Sequence, residues 1–352
     1  MLAPGHNIIV IGTSAGGMEA LCKLLDQLPE KLPAAIFIVQ HLSMDSSSDY
    51  LVKRMAKHTK LQVKVAENDE VFQRGTVYMV PADRHLLLTN KRILVAKGPR
   101  ENQFRPAVDP LFRSAAAYHG SRVIGVILTG MMNDGTVGMD AVKRSGGITV
   151  VQDPDDAEHP DMPRNALRNV SIDYVVPIRE MGALLYSLSQ TPSGDSITVP
   201  QDILNEAQMV ERIMTNGVMS DIKKMDDLGE RSGYSCPDCG GGLWEINQGT
   251  VKRYRCHSGH AYNEESLFNS MNSALEETLW VSMRIMEERR NMLESMANME
   301  RSKGQSRWAV MQQERAEEMK IHVERLKEIL LNRNSVAHNL NMRNGENTPG
   351  AS

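Results

Sequence analysis

An α/β fold, built on a doubly wound and mostly parallel sheet, is predicted by three observations. Over the first 190 residues, short apolar β-branched runs alternate with amphipathic helical stretches. That βα rhythm places helices on both faces of a parallel sheet. The first run, Asn7–Ile11, ends in the small-residue turn Gly12-Thr13-Ser14-Ala15-Gly16-Gly17 and leads straight into a helical pattern. Beyond residue 190 the rhythm stops, and a Cys/His-bearing segment precedes two long helical stretches. A small zinc ribbon and a C-terminal helical pair are therefore expected after the sheet domain.

In chain order, strands are predicted at Asn7–Ile11, Ala34–Gln40, Val77–Val80, Val123–Leu128, Gly147–Val151 and Asp173–Val176. Helices are predicted near Met18–Gln27, Ser47–Lys57, Pro110–His119 and Val137–Arg144, with a last one at Gly182–Leu188. His85–Val95 reads as an antiparallel hairpin turning at Thr89–Arg92. The polar stretch Ser189–Ser196 marks a boundary. The expected organisation is a catalytic domain at 1–190, a connector at 191–231, a zinc-ribbon-like module at 232–263, a helical hairpin at 264–333 and a disordered tail at 334–352. The helical stripe from Leu267 to Met292 is Met-rich, which suits core or self-association.

Composition narrows the function. The 352 residues carry a net charge of −4 with 41% hydrophobic content, which gives no electrostatic footprint for nucleic acid. No secretory leader pattern and no apolar stretch of membrane-spanning length is read, so a cytoplasmic protein without direct membrane insertion is expected.

The strand-turn-helix at Ser14 leaves a hydroxyl at a strand's C-terminal edge, beside the positive end of a helix. A serine needs a base to act as a nucleophile. The second strand ends at His41, and the run Val123–Leu128 is followed by Asn133-Asp134-Gly135. Residues beyond the carboxyl ends of neighbouring parallel strands converge on one crevice, so Ser14, His41 and Asp134 make a candidate triad. Two other readings of the turn weigh less. A dinucleotide fingerprint expects an acidic residue after the second strand, where this chain has Gln40-His41. The α/β-hydrolase elbow expects the order Ser, Asp, His.

Ile11–Gly17, Val39-Gln40-His41, Tyr78–His85, Phe104–Ala116 and Leu128–Gly135 together resemble the catalytic domain of bacterial chemotaxis methylesterases, the CheB family. The resemblance runs from about residue 5 to about residue 190. It implies a methylesterase-type fold, with Ser14 as nucleophile, His41 as general base and acid, and Asp134 orienting the imidazole. It also implies methylated glutamates of methyl-accepting chemoreceptors, or receptor-like signalling proteins, as substrate, and glutamine deamidation as a related activity. No cofactor is expected for catalysis. The amides of Ala15 and Met131 are oxyanion candidates. Arg105 and Arg113, in the matching segment, are candidates for substrate contact or for surface ion pairs. Where the family has Gly after the Met of Thr-Gly-Met, this chain has Met132. Family members often carry an N-terminal phosphoacceptor receiver domain as part of a phosphorelay. Here the first catalytic strand starts by Asn7, so constitutive activity or control by the C-terminal modules is expected. The alternative is a signalling adaptor that retains a weakly active esterase domain.

Cys236-Pro237-Asp238-Cys239 and Cys256-His257-Ser258-Gly259-His260 have the spacing of two zinc knuckles around a short hairpin. Cys236, Cys239, Cys256 and His260 are the expected ligands, since His257 would have to fold back sharply. Four protein ligands close the site, so the zinc is expected to be structural, with no part in catalysis, and a chain ending near 192 is expected to stay active.

Overall fold

The computed structural model describes residues 5–193, 197–216 and 222–345. The elements run β1 (Ile8–Thr13), α1 (Gly17–Leu25), β2 (Ala35–Gln40), α2 (Ser48–Met55), β3 (Gln62–Val65), β4 (Glu70–Val71), β5 (Thr76–Met79), β6 (His85–Leu88), β7 (Arg92–Ala96), α3 (Val108–His119), β8 (Val123–Ile127), α4 (Thr136–Arg144), β9 (Ile148–Gln152), α5 (Asp161–Asn169), β10 (Tyr174–Val176) and α6 (Ile178–Gln190). They continue with α7 (Gln201–Asn216), α8 (Ile222–Asp226), β11 (Glu230–Ser235), β12 (Gly242–Ile246), β13 (Arg253–Cys256), β14 (Ala261–Asn263), α9 (Glu264–Ser302) and α10 (Ser306–Gly345).

Seven strands form one sheet in the order β10-β9-β8-β1-β2-β5-β3, and every pairing in it is parallel. β1 is buried along its whole length because both faces of the sheet are covered. Its side chains alternate between two cores. Ile8 and Val10 join Phe37, Leu111 and Phe112 on one face, while Ile9 and Ile11 join Leu21, Leu24 and Met181 on the other. The connections leave β1 toward β2 on one side and return beside it as β8 on the other. This is the switch point at which a crevice opens beyond the strand ends. The expected hairpin is β6–β7, joined by β4 into a small antiparallel sheet. β3 was not expected. It is an edge strand with a half-exposed, Lys-bearing sequence and no continuous apolar run to announce it.

β11 to β14 form a four-stranded antiparallel sheet around Cys236, Leu243, Tyr254, Cys256, Tyr262 and Leu267. The connector expected at 191–231 holds α7 and α8, and Ile203 and Ala207 of α7 are buried in the same core as Phe112. Residues up to Phe268 form one compact unit and those from Asn269 a second. The ribbon-like sheet is thus continuous with the α/β domain rather than a separate body. In the second unit, Met283, Val323 and Leu330 make the core between α9 and α10. α10 runs on to Gly345, through the first part of the expected tail, and residues 346–352 lie outside the described residues. Among the described residues no helix is long and apolar enough to cross a membrane.

Candidate active site

The register of β1 and β2 aligns Thr13 with Gln40, so the next residues, Ser14 and His41, leave the sheet side by side. Main-chain bonds fix both. The His41 amide donates to the Thr13 carbonyl at 3.1 Å, and the Ser14 amide donates to the Thr129 carbonyl at 3.1 Å. The Thr13 hydroxyl, fully buried, donates to the same Thr129 oxygen at 2.7 Å and ties the end of β1 to the chain leaving β8. Gly16 follows at φ 74, a left-handed backbone that costs glycine little, and α1 starts from it.

His41 lies between the other two members. Its Nδ1 is 3.1 Å from Ser14 Oγ, and its Nε2 is 2.7 Å from Asp134 Oδ2. The His41 side chain is 5% exposed and that of Asp134 is 0% exposed. Asp134 sits at the N-terminus of α3, whose first amides have no partner within the helix. The Val108 amide donates to Oδ2 at 2.6 Å, and the amides of Asp109 and Gly135 donate to Oδ1 at 3.4 and 3.0 Å. Asn102 Nδ2 adds a bond to Oδ1 at 2.9 Å. Burial pushes the Asp134 carboxyl upward, but the His41 hydrogen bond and charge, with the Val108 and Asn102 donors, hold it below the usual range. It is therefore an anion, suited to steady an imidazolium.

Asp109 shares the Asn102 amide, accepting from Nδ2 at 2.7 Å and from the Gly138 amide at 2.7 Å. Burial, and then the charge of Asp134, push its carboxyl up to about 8. Phe104 stacks on the imidazole of His41. The turn Glu101–Phe104 presents both Asn102 and Phe104, with φ of 50 at Asn102 and 73 at Gln103, the pair of positive angles of a type I′ turn.

Gly130 abuts the serine, since a Cβ there would lie 2.9 Å from Ser14 Cβ. The amides of Ala15 and Met131, which follow Ser14 and Gly130, donate to no group among the described residues. Ala15 lines an open cleft of about 520 Å³ whose walls include Ser14, His41, Gln40, Arg54 and Glu158. Met132 holds φ 70, so it keeps the left-handed backbone that glycine adopts freely, and its carbonyl accepts from Asn165 Nδ2 at 2.9 Å.

The two arginines lie elsewhere. Arg105 is bound to Asp83 and to the Gly98 carbonyl. Arg113 is 3% exposed and pairs with Glu101 at 2.9 Å and Glu206 at 3.2 Å. It is thus neither a substrate contact nor a surface ion pair. Arg255 of β13 pairs with the same two glutamates at 2.9 Å, and Arg253 binds Glu206 at 2.8 Å. Burial opposes ionisation of Glu101 and Glu206, and the neighbouring guanidiniums reverse this and hold both carboxyls low.

Cys236, Cys239, Cys256 and His260 bring their ligand atoms within 4.8 Å of one another. The sulfurs of Cys239 and Cys256 are 3.7 Å apart, and Cys256 Sγ is 3.5 Å from His260 Nδ1. Tetrahedral zinc with Zn–S bonds of about 2.3 Å sets its sulfurs about 3.8 Å apart, so the donor set fits that ion. A hydrogen bond with Cys256 lowers the Cys236 thiol against the opposing effect of burial, favouring the ligating thiolate.

Sequence reasoning missed Asn102, Phe104 and Asp109 as parts of the site. Phe104 and Asp109 lie in the segment quoted for the resemblance, but nothing in their residue types marked them. The comparisons with known proteins bear on the same half of the chain. Residues 9–185 match the family described as CheB methylesterase. A provisionally named protein-glutamate methylesterase/protein-glutamine glutaminase of Leptospira interrogans is 38% identical over 186 residues, 53% of this chain and 96% of that protein. The protein-glutamate methylesterase/protein-glutamine glutaminase of Pyrococcus horikoshii is 35% identical over 182 residues, and the chain covers 49% of its length. The CheB methylesterase catalytic domain of Thermotoga maritima superposes with a TM-score of 0.50 at 35% identity, covering 52% of this chain and 98% of that domain.

Proposed function

The chain belongs to the CheB methylesterase family of carboxylic ester hydrolases, and on that premise we propose that it hydrolyses glutamate methyl esters on methyl-accepting chemoreceptors, in the cytoplasm. The single observation that carries the chemistry is His41 bridging Ser14 Oγ and Asp134 Oδ2.

Ser14 Oγ attacks the ester carbonyl as His41 Nδ1 takes its proton. Asp134 keeps the other proton on Nε2 and balances the imidazolium. The amides of Ala15 and Met131 receive the oxyanion. The imidazolium returns its proton to the departing alkoxide, which leaves as methanol, and an acyl-enzyme remains. Water, deprotonated by His41, then releases the glutamate carboxylate and restores the serine. A glutamine amide enters the same cycle with ammonia as the leaving group, as the names of the relatives suggest.

A structural zinc is assigned to Cys236, Cys239, Cys256 and His260. The donor set and spacing support it, and four protein ligands leave no open position for substrate. Self-association is assigned to α9 and α10, which expose Leu275, Trp280, Met292 and Trp308.

The test is methanol release from a methylated receptor fragment. Ser14→Ala is expected to lower the rate about 10⁴-fold or more while the fold persists. A variant as fast as wild type overturns the assignment.

A further inference from the structure

Asn102 is 3% exposed, and its side-chain amide is polarised by its surroundings. Nδ2 donates to Asp134 Oδ1 at 2.9 Å and to Asp109 Oδ2 at 2.7 Å. Oδ1 accepts from the Asn263 amide at 3.1 Å and from Ser266 Oγ at 3.0 Å. A flipped amide would set its oxygen against the Asp134 carboxylate and its nitrogen against the Asn263 N–H, so the orientation is determined. The Asn102 backbone amide donates to the Ala261 carbonyl at 2.8 Å. Its left-handed φ of 50 is one that asparagine tolerates in a type I′ turn, and its side chain has support from outside that turn.

That support comes from the ribbon. Ala261, Asn263 and Ser266 belong to β14 and the start of α9, more than 120 residues after the triad is complete in the chain. A second grip runs beside the first and shares Asn263 with it. Asn133, next to Asp134, donates to Asn263 Oδ1 at 3.0 Å and to Glu265 Oε2 at 2.7 Å. The segment Ala261–Ser266 therefore holds Asp134 both through Asn102 and through its chain neighbour.

We propose that Asn102 is a positioning residue for Asp134, and that the Cys/His ribbon acts as the clamp that seats it, so that the ribbon is part of the machinery for turnover. This rests on the esterase reading above. The clamp does not touch substrate, so its loss should slow the chemistry while leaving binding intact.

The experiment measures kcat and KM for methanol release by the full-length protein, with unfolding temperature recorded alongside. Asn102→Ala is expected to lower kcat about 10- to 100-fold, as misplacement of a catalytic group by about 1 Å does, with KM unchanged within about twofold. Ser266→Ala removes one hydroxyl from Asn102 and is expected to lower kcat by about 3- to 10-fold with the same KM. If Asn102→Ala does not fold, Ser266→Ala decides alone. A kcat for Ser266→Ala equal to wild type overturns the clamp, as does a rise in KM at constant kcat. Failure of the esterase reading is distinct, because the wild-type protein itself would then release no methanol.

Discussion

Phe104 lies flat against the imidazole of His41, with ring centroids 3.6 Å apart and planes 10° from parallel. The stack walls one face of the ring and leaves its two nitrogens in the plane that joins Ser14 to Asp134. Phe104→Ala should free the ring to tilt and lower kcat about tenfold. Phe104→Tyr keeps the stacked face and should stay within about twofold of wild type. Steady-state kinetics on the two variants check this pair of outcomes.

Asp134→Asn should cut kcat about 10⁴-fold with little change in KM, because the amide no longer steadies the imidazolium. Every partner of the two Asp134 oxygens is an N–H donor, so the new NH₂ faces a donor whichever way it turns. The variant should therefore also unfold earlier, by about 1–3 kcal/mol. Kinetics and thermal melts together test it, and a rise in KM at constant kcat would count against the orienting role.

Met132 at φ 70 occupies a backbone region that costs a non-glycine residue about 1–2 kcal/mol. Met132→Gly should leave stability level or raise it by up to about 1 kcal/mol, and activity should persist. Met132→Val, branched at Cβ, should lose about 1–2 kcal/mol. Denaturant unfolding of the three proteins orders them as Gly at or above Met, and Met above Val.

Asp109 gives a pH signature. Its folded carboxyl is pushed up to about 8, against about 3.9 in the unfolded chain. The folded state thus binds a proton that the unfolded chain has released. Its contribution to stability is complete below about pH 4 and is lost as pH rises through about 8. Asp134, held low, acts in the opposite sense and only in acid, where stability falls as pH drops through its folded value. Between pH 7 and 9 wild type should lose melting temperature more steeply than Asp109→Asn. Parallel slopes for the two proteins would show that Asp109 is ionised throughout.

Metal analysis of the intact protein should find zinc bound at the cysteine cluster. Chelation, or Cys239→Ser, should lower the melting temperature of the unit ending at Phe268. It should also reduce methanol release about tenfold or more, since β14 seats Asn102. This reverses the expectation that a chain ending near 192 stays active. Full activity in the zinc-free protein would restore that expectation.

The strands that place Ser14, His41 and Asp134 were legible because each is an apolar run bounded by turn residues, and β1, β2 and β8 are buried on both faces. β3 was illegible because an edge strand with Lys64 carries no such run. Glu206 was illegible for a different reason. A glutamate on an amphipathic helix reads as solvated, and only the fold reveals Arg113, Arg253 and Arg255 around it. Asn102 gave no signal either, because Asp134, Asn263 and Ser266 are distant in sequence and two of its partners are backbone groups, at Ala261 and Asn263.

The ion network that joins Glu101 and Arg113 to Arg255 has a consequence during synthesis. A ribosome adding about 5–20 residues per second releases Asp134 on the order of 10 s before it releases Ser266. For about the first half of that interval Glu101 and Arg113 lack Glu206, and for most of it they lack Arg255, while Ser14, His41 and Asp134 are already made. A chain that ends before the ribbon has Ser14, His41 and Asp134 but lacks the proposed brace for Asp134. On the proposed clamp, a chain that stops short of Ser266 is expected to turn over about tenfold or more slowly than the full-length chain.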